Sequence, residues 1–256
     1  MELADRISTW IKLKVEQARA EGIVVGLSGG IDSAVVAAMS KNALGDNVLG
    51  IIMPCHSSRE DEDYANLLAK SLNIKTQKVV LDLVYDSLVA ILRPGSKMAL
   101  ANIKPRLRMI TLYSFANDLN YLVAGTGNRS EIMVGYFTKH GDGGADILPI
   151  GDLLKTEVRE LAGELSIPKE ILDRIPTAGL WQGQTDEGEL GMTYEDLDKV
   201  LLTLESKETS GLPQEPVTKV KGLVASSKHK RMLPAIFERQ EKNLATEITE
   251  ITEKEF

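Results

Sequence analysis

The sequence predicts an α/β protein, a doubly wound parallel sheet of about five strands flanked by helices. Three observations lead there. Short β-branched runs alternate with stretches of helical periodicity, the βαβα order of a parallel sheet. The runs are continuously apolar, as strands covered on both faces are. The first of them ends in a glycine-rich turn that opens a helix, where open α/β sheets bind ligands.

Leu3, Ile7, Trp10, Ile11, Val15 and Ala18 share one face of residues 3–20, an amphipathic opening helix. The first strand is "IVVGLS" (23–28), with a helix near 32–43; the second is "VLGIIMP" (48–54), with a helix near 59–72. "KVVLDL" (78–83) is the third and leads into a mostly helical block from about 84 to 119. "YLVAGT" (121–126) is the fourth strand and "ADILPI" (145–150) a weaker fifth. Residues 153–205 read as helices with loops, among them the glycine-rich, polar "TAGLWQGQTDEGELG" (177–191). "SKETSGLPQEPV" (206–217) is expected to be a mobile surface loop, and the acidic "LATEITEITEKEF" an exposed helix or frayed end. The 256 residues, 43% hydrophobic, show no repeat and no clear linker, so one domain over 1–256 is expected.

A net charge of −7 argues against a broad nucleic-acid surface, although a local basic pocket needs only a few cations. The single cysteine, Cys55, excludes an intrachain disulfide and any CxxC site, and fits a reducing cytoplasm. No run approaches 18 apolar residues and "MELADRISTW" lacks the marks of a signal peptide, so no membrane association is expected.

The turn "GLSGGIDS" (26–33) admits two chemistries. Gly26-Leu27-Ser28-Gly29-Gly30 matches the G-x-S-x-G nucleophile elbow. An elbow needs a histidine after an acid; of His56, His140 and His229 only the last stands comfortably placed, and no oxyanion-hole loop precedes residue 22. That reading also leaves Asp32 and Ser33 without a task. As a phosphate loop, Gly29 and Gly30 let the backbone approach a ligand, and the next helix offers free N–H groups and its positive dipole end. Ser28 and Ser33 add hydroxyls. Asp32 would repel a bare phosphate but suits Mg²⁺ held against one, although capping of the helix also accounts for it. The GK[ST] of a Walker A loop is missing.

"SGGIDS" resembles the SGGxDS pyrophosphate loop of the N-type ATP pyrophosphatases, which include NAD, GMP, asparagine and argininosuccinate synthetases. Later blocks resemble the NAD synthetases: "NIKPRLRM" (102–109), "GTGNRSEIMVGYFTKHGDGGADILPIGDLLKTEV" (125–158), "IPTAGLWQGQTDEGELGMTYEDLD" (175–198) and "HKRMLP" (229–234). The resemblance covers most of residues 22–240 and implies an adenine nucleotide alpha-hydrolase-like fold.

It also implies roles. Residues 26–33, Gly26, Leu27, Ser28, Gly29, Gly30, Ile31, Asp32 and Ser33, are matched to ATP, with Thr126, Lys155 and Thr177. Asp32 pairs with Glu131 for Mg²⁺, and Lys155 stabilises charge on the phosphates. Arg106, Lys139, Asp146, His229 and Lys230 match contacts to the deamidated dinucleotide. Read from the residues alone, Lys104, Arg106 and Arg108 are a solvated helix face, Glu131 a surface glutamate, "KHKR" a solvated basic run and Asp142 a turn-former. Pro105 departs from the family's alanine and fits only a first helical turn.

The reaction so implied has two steps. The nicotinate carboxylate of deamido-NAD attacks the α-phosphorus of ATP, giving an acyl-adenylate and pyrophosphate; ammonia then displaces AMP to give NAD. Asp142 or Asp146 is a candidate to assist the ammonia. With the first sheet strand at about residue 22, no glutaminase domain is expected, and ammonia is free or comes from a separate chain. Relatives imply a homodimer. Two rivals remain: a related enzyme acting on another nucleotide, such as one making GMP, and a non-catalytic nucleotide sensor.

Overall fold

The computed structural model describes residues 2–93, 95–181, 183–206 and 213–237. Helix α1 (Leu3–Gln17) buries Ile11 and Val15 and leads into β1 (Gly22–Gly26). There follow α2 (Ile31–Leu44), β2 (Val48–Ile52), α3 (Arg59–Ser71) and β3 (Lys75–Lys78). Three helices, α4 (Asp82–Ile91), α5 (Lys97–Ala101) and α6 (Ile103–Leu119), then precede β4 (Tyr121–Ala124). The rest is helical: α7 (Arg129–Val134), α8 (Lys155–Glu164), α9 (Lys169–Leu172), α10 (Asp186–Leu190), α11 (Tyr194–Ser206) and α12 (Gln214–Ser226). A 3₁₀ turn, Lys228–Lys230, follows α12.

The strands are parallel in the order β3-β2-β1-β4, with Ile23 opposite both Val48 and Leu122. Alternation along β1 divides the core. Ile23 and Val25 pack with α1, α2, α3 and α8 on one face. Val24 joins Ile51, Val123 and Ala116 of α6 on the other. Helix α2 lies between the sheet and α1 and α8, which is why it is apolar all round and buries nine residues. A third cluster joins α7, α10, α11 and α12 around the fully buried Tyr194. Among the described residues, no helix is long and apolar enough to cross a membrane.

The α/β class and the parallel sheet are as expected, but the sheet has four strands rather than about five. Residues 145–150 make only an isolated bridge, Ile147 to Ala124, because the chain turns away on both sides of it. The third strand also lies earlier than expected, at "KTQK". It is a sheet edge with every residue exposed, so it carries no apolar run; "VVL" continues past it, with Val79 N and Leu81 N donating to Ile52 and Pro54 carbonyls. Residues 214–217, expected in a loop, open α12, while residues 207–212 and the acidic tail lie outside the described residues. Pro105 falls in the first turn of α6, where its missing N–H disturbs little.

Candidate active site

Strand order reverses beside β1: the chain runs outward through β2 and β3, then returns to place β4 on the other side. The carboxyl ends of β1 and β4 therefore flank the switch-point crevice. The turn after β1 is held in shape before any ligand arrives. Ser33 Oγ donates to Gly30 O at 2.9 Å and lies 3.1 Å from Ser28 Oγ, which accepts from Gly30 N at 3.2 Å. Gly29 has φ +76°, and a Cβ there would lie 2.6 Å from Tyr64 Cβ and 2.9 Å from Asp61 O, so only glycine fits against α3.

Beside this turn stands a buried charge cluster. Lys155 Nζ, 2% exposed, lies 2.5 Å from Asp32 Oδ2 and 3.3 Å from Glu131 Oε1. Asn128 caps α7 reciprocally with Glu131, and its Nδ2 also donates to Asp32 Oδ1 at 2.9 Å. The Tyr194 hydroxyl reaches Glu131 Oε1 at 3.3 Å and Asp186 Oδ2 at 3.1 Å. Tyr136 OH reaches Asp186 Oδ1 at 3.1 Å and Glu189 Oε2 at 2.6 Å. The start of α8, which carries Lys155, is anchored by Asp198: its Oδ2 accepts from Thr156 N and Oγ1, both at 2.9 Å.

Burial governs the titration of this cluster. It pushes the Glu131 carboxyl up to about 7, against the opposing pull of Lys155. Burial alone would lower Lys155, but the Asp32 and Glu131 carboxylates outweigh it and hold the ammonium above its ordinary value. Burial likewise raises Asp186, and raises Tyr194 and Tyr136 far enough to keep both hydroxyls protonated donors.

A cavity of about 710 Å³ opens over the crevice. Residues 26–33, Gly29 excepted, line it, together with Thr126, Glu131, Lys155, Thr177 and Lys230. The remaining expected contacts lie outside its lining. Arg106 is exposed and donates to Lys139 O at 3.3 Å; Lys139 Nζ donates to His229 O at 2.7 Å; His229 Nδ1 lies 3.0 Å from Ser226 O. Lys230 Nζ donates to Gly135 O and Phe137 O at 2.7 and 3.0 Å. These four residues gather around residues 135–139. Asp146 stands apart: it accepts from Val123 N at 2.8 Å and from Tyr113 OH at 3.0 Å, tying the 145–147 bridge to β4. Asp142 lines the cavity, accepts from Thr138 N at 2.9 Å and has its carboxyl raised by burial. Cys55 is fully buried and its thiol is pushed up by burial, as suits an inert packing residue.

Sequence reasoning missed Asn128, Tyr194, Asp186 and Arg174. Arg174 donates to Ser28 O at 3.3 Å, pairs with Asp61 and lies 4.9 Å over the Tyr64 ring, fastening the turn to α3. Only the capping pattern N-x-x-E at 128–131 offered a local signal for any of them.

Among the described residues, no group of three or more His, Cys, Asp or Glu side chains could hold a metal. Two carboxylates, Asp32 and Glu131, do converge, with the phosphate turn beside them. That donor set fits a hard divalent cation that takes its other ligands from phosphate and water.

The model of the NAD synthase family matches residues 3–234. The NH(3)-dependent NAD(+) synthetase of Carboxydothermus hydrogenoformans is 52% identical over 240 residues, 92% of this chain and 96% of that protein. The structure of NMN synthetase from Francisella tularensis superposes with a TM-score of 0.86 at 36% identity, covering 93% of this chain and 98% of the other. NH3-dependent NAD synthetase from Campylobacter jejuni, in complex with the nitrate ion, gives 0.81 at 28% identity, covering 93% and 100%. With its glycine-rich turn, its Asp32–Lys155–Glu131 cluster and these likenesses along nearly its whole length, the chain belongs to the NAD synthase family.

Proposed function

We propose that the chain makes NAD from deamido-NAD, ATP and ammonia through an acyl-adenylate, releasing AMP and pyrophosphate. The observation that carries this reading is the Asp32–Lys155–Glu131 cluster set against a preformed phosphate turn at the ends of β1 and β4.

In the first step a nicotinate carboxylate oxygen bonds to the α-phosphorus as the bond to the β-phosphate oxygen breaks, and pyrophosphate departs. The free N–H groups at the start of α2 and the hydroxyls of Ser28 and Ser33 hold the departing group. Lys155 brings a fixed positive charge to phosphate oxygens as charge builds on them, with no solvent to reorganise. Mg²⁺, held by Asp32 and Glu131, would neutralise and orient the phosphates. Thr126 and Thr177 contact the nucleotide from the cavity wall. In the second step ammonia attacks the acyl carbon, the bond to AMP breaks, and the extra proton leaves to solvent or to a carboxylate such as Asp142. Arg106, Lys139, His229 and Lys230 hold the dinucleotide at the rim, and Asp146 supports β4 beneath it.

The unit acts as a cytoplasmic homodimer. Support for the dimer is the face of α4, none of whose residues is buried: Leu83 and Ile91 are each 80% exposed, and Ile110 of α6 is 59% exposed. A face so apolar fits a partner better than water.

The test supplies pure protein with ATP, Mg²⁺ and ammonium and varies the acid. The expected result is equal AMP, pyrophosphate and NAD with deamido-NAD. Equal turnover of xanthosine monophosphate, or nucleotide binding without turnover, overturns the reading. The likeness to an NMN synthetase makes nicotinate mononucleotide the acid to compare; faster turnover of it would keep the chemistry and replace the substrate.

A further inference from the structure

Arg108 is a cation of the cavity wall that the reaction above does not use. From α6 its Nε donates to Met53 O at 3.2 Å and its Nη2 to Ser57 Oγ at 3.3 Å. Nη1 has no partner, and among the described residues no carboxylate pairs with the guanidinium. Of the cavity's other cations, Lys155 pairs with Asp32 and Glu131 and Arg174 with Asp61, while Lys230 donates to two carbonyls and Lys219 to Gly191 O at 3.4 Å. Arg108 is half-buried, and Lys104, one turn earlier on α6, is buried; among the described residues its Nζ meets Leu180 O at 2.9 Å and the Tyr85 ring at 5.6 Å. Burial pulls both cations below their ordinary pKa values, as it does Lys230. Asp142 and Asp61 act on the guanidinium only at a distance; Asp142 Oδ1 is engaged by Thr138 N and Asp61 pairs with Arg174. Desolvated charge is ordinarily paired, so this wall suits an anion.

Its position narrows which anion. Met53 follows β2, and a Cβ on Gly26 at the end of β1 would lie 3.2 Å from Met53 Cε and 3.8 Å from Leu112 of α6. Arg108 therefore stands at the nucleotide end of the sheet on the α6 face, whereas Lys155 comes from α8 on the opposite face. The phosphate turn and Lys155 serve the departing pyrophosphate, and the rim cations serve the dinucleotide. One phosphoryl group is left over.

We propose that Arg108 is a binding residue for the α-phosphoryl group, held through Nη1 from ATP to the acyl-adenylate to AMP. It rests on the adenylating reading above. A guanidinium suits this task because it can keep Met53 and Ser57 on one edge while it offers another edge to a phosphate.

The test compares wild type with Arg108→Gln and Arg108→Lys. Calorimetry with AMP, steady-state kinetics in each substrate, inhibition by AMP and by pyrophosphate, and thermal midpoints are measured. Arg108→Gln is expected to weaken AMP binding by about ten-fold or more and to lower kcat/KM for ATP about 100-fold. The KM for deamido-NAD and the inhibition by pyrophosphate stay near wild type, and Arg108→Lys restores AMP binding in part. Loss of fold alone would not separate AMP from pyrophosphate, and Arg108→Lys retains the charge should the glutamine variant fail to fold. Unchanged AMP affinity in a folded variant overturns the proposal, as does a rise in the deamido-NAD KM with ATP unaffected. If wild type neither binds AMP nor turns over deamido-NAD, the adenylating reading fails instead.

Discussion

Asn128 Nδ2 donates to Asp32 Oδ1 at 2.9 Å, joining two residues 96 positions apart, while the same side chain accepts from Glu131 N at 3.0 Å. One fully buried asparagine thus orients both carboxylates. Asn128→Ala removes a helix cap and a partner of Asp32 together. It should cost about 1–2 kcal/mol in urea unfolding and lower kcat more than it raises any KM. A kcat equal to wild type would show that the carboxylates hold their places unaided.

Lys155→Met leaves Asp32 and Glu131 facing each other with their buried cation gone. Destabilisation of about 3–5 kcal/mol is expected, with adenylation lost. Asp32→Asn provides the contrast: the fold should survive and most activity disappear. Denaturant melts and pyrophosphate release measure both, and a normal rate in Asp32→Asn would remove that carboxylate from the reaction.

Glu131 gives a signed pH prediction. Its folded pKa, near 7, lies above the ordinary 4.5, so the folded chain keeps a proton that the unfolded chain releases in that interval. The stability it contributes is complete below about 4.5 and is lost as pH rises through about 7. Without metal or nucleotide, the thermal midpoint of wild type should fall across this interval more steeply than that of Glu131→Gln. Parallel profiles would place the proton elsewhere.

Gly29→Ala forces a side chain into a positive φ and against Tyr64 and the Asp61 carbonyl. A cost of about 1–3 kcal/mol is expected, with a higher KM for ATP and an unaltered KM for deamido-NAD. Equal rises in both would mean that the turn serves more than the nucleotide.

Leu83→Asp puts a charge in the apolar face of α4 without touching the core. Light scattering should show the dimer shifted to monomer while the circular dichroism of the monomer stays native. A dimer unaffected by Leu83→Asp together with Ile91→Asp would move the interface off α4.

β1, β2 and β4 were legible because their interior positions are covered on both faces and so read as apolar runs. β3 was not, since an exposed edge strand needs no apolar signal; its "KTQK" is charged and polar. Residues 145–150 looked like a strand because Ile147 and Ile150 pack inward, yet contact with β4 stops at Asp146 and Ile147. At the site, Asp32, Glu131 and Lys155 were legible through motif resemblance, and the structure gathers them. Asp186 and Tyr194 were hidden: each looks like an ordinary helix-start or core residue, and what they meet comes from α7 and just after it, 50 and 63 positions away. Arg108 and Arg106 are indistinguishable in "KPRLR", and only helix phase turns one into the cavity and the other outward.

The cluster draws one member each from the first turn of α2, α7, α8, α10 and α11. A chain folded only through β3 has the phosphate turn but neither partner of Asp32. On the proposed reading, full nucleotide affinity is expected only once residue 194 has emerged and docked. In the finished protein, saturating nucleotide binds against unfolding of the whole rather than fraying of a part, and its protection should extend to amides of β1 and α11 alike.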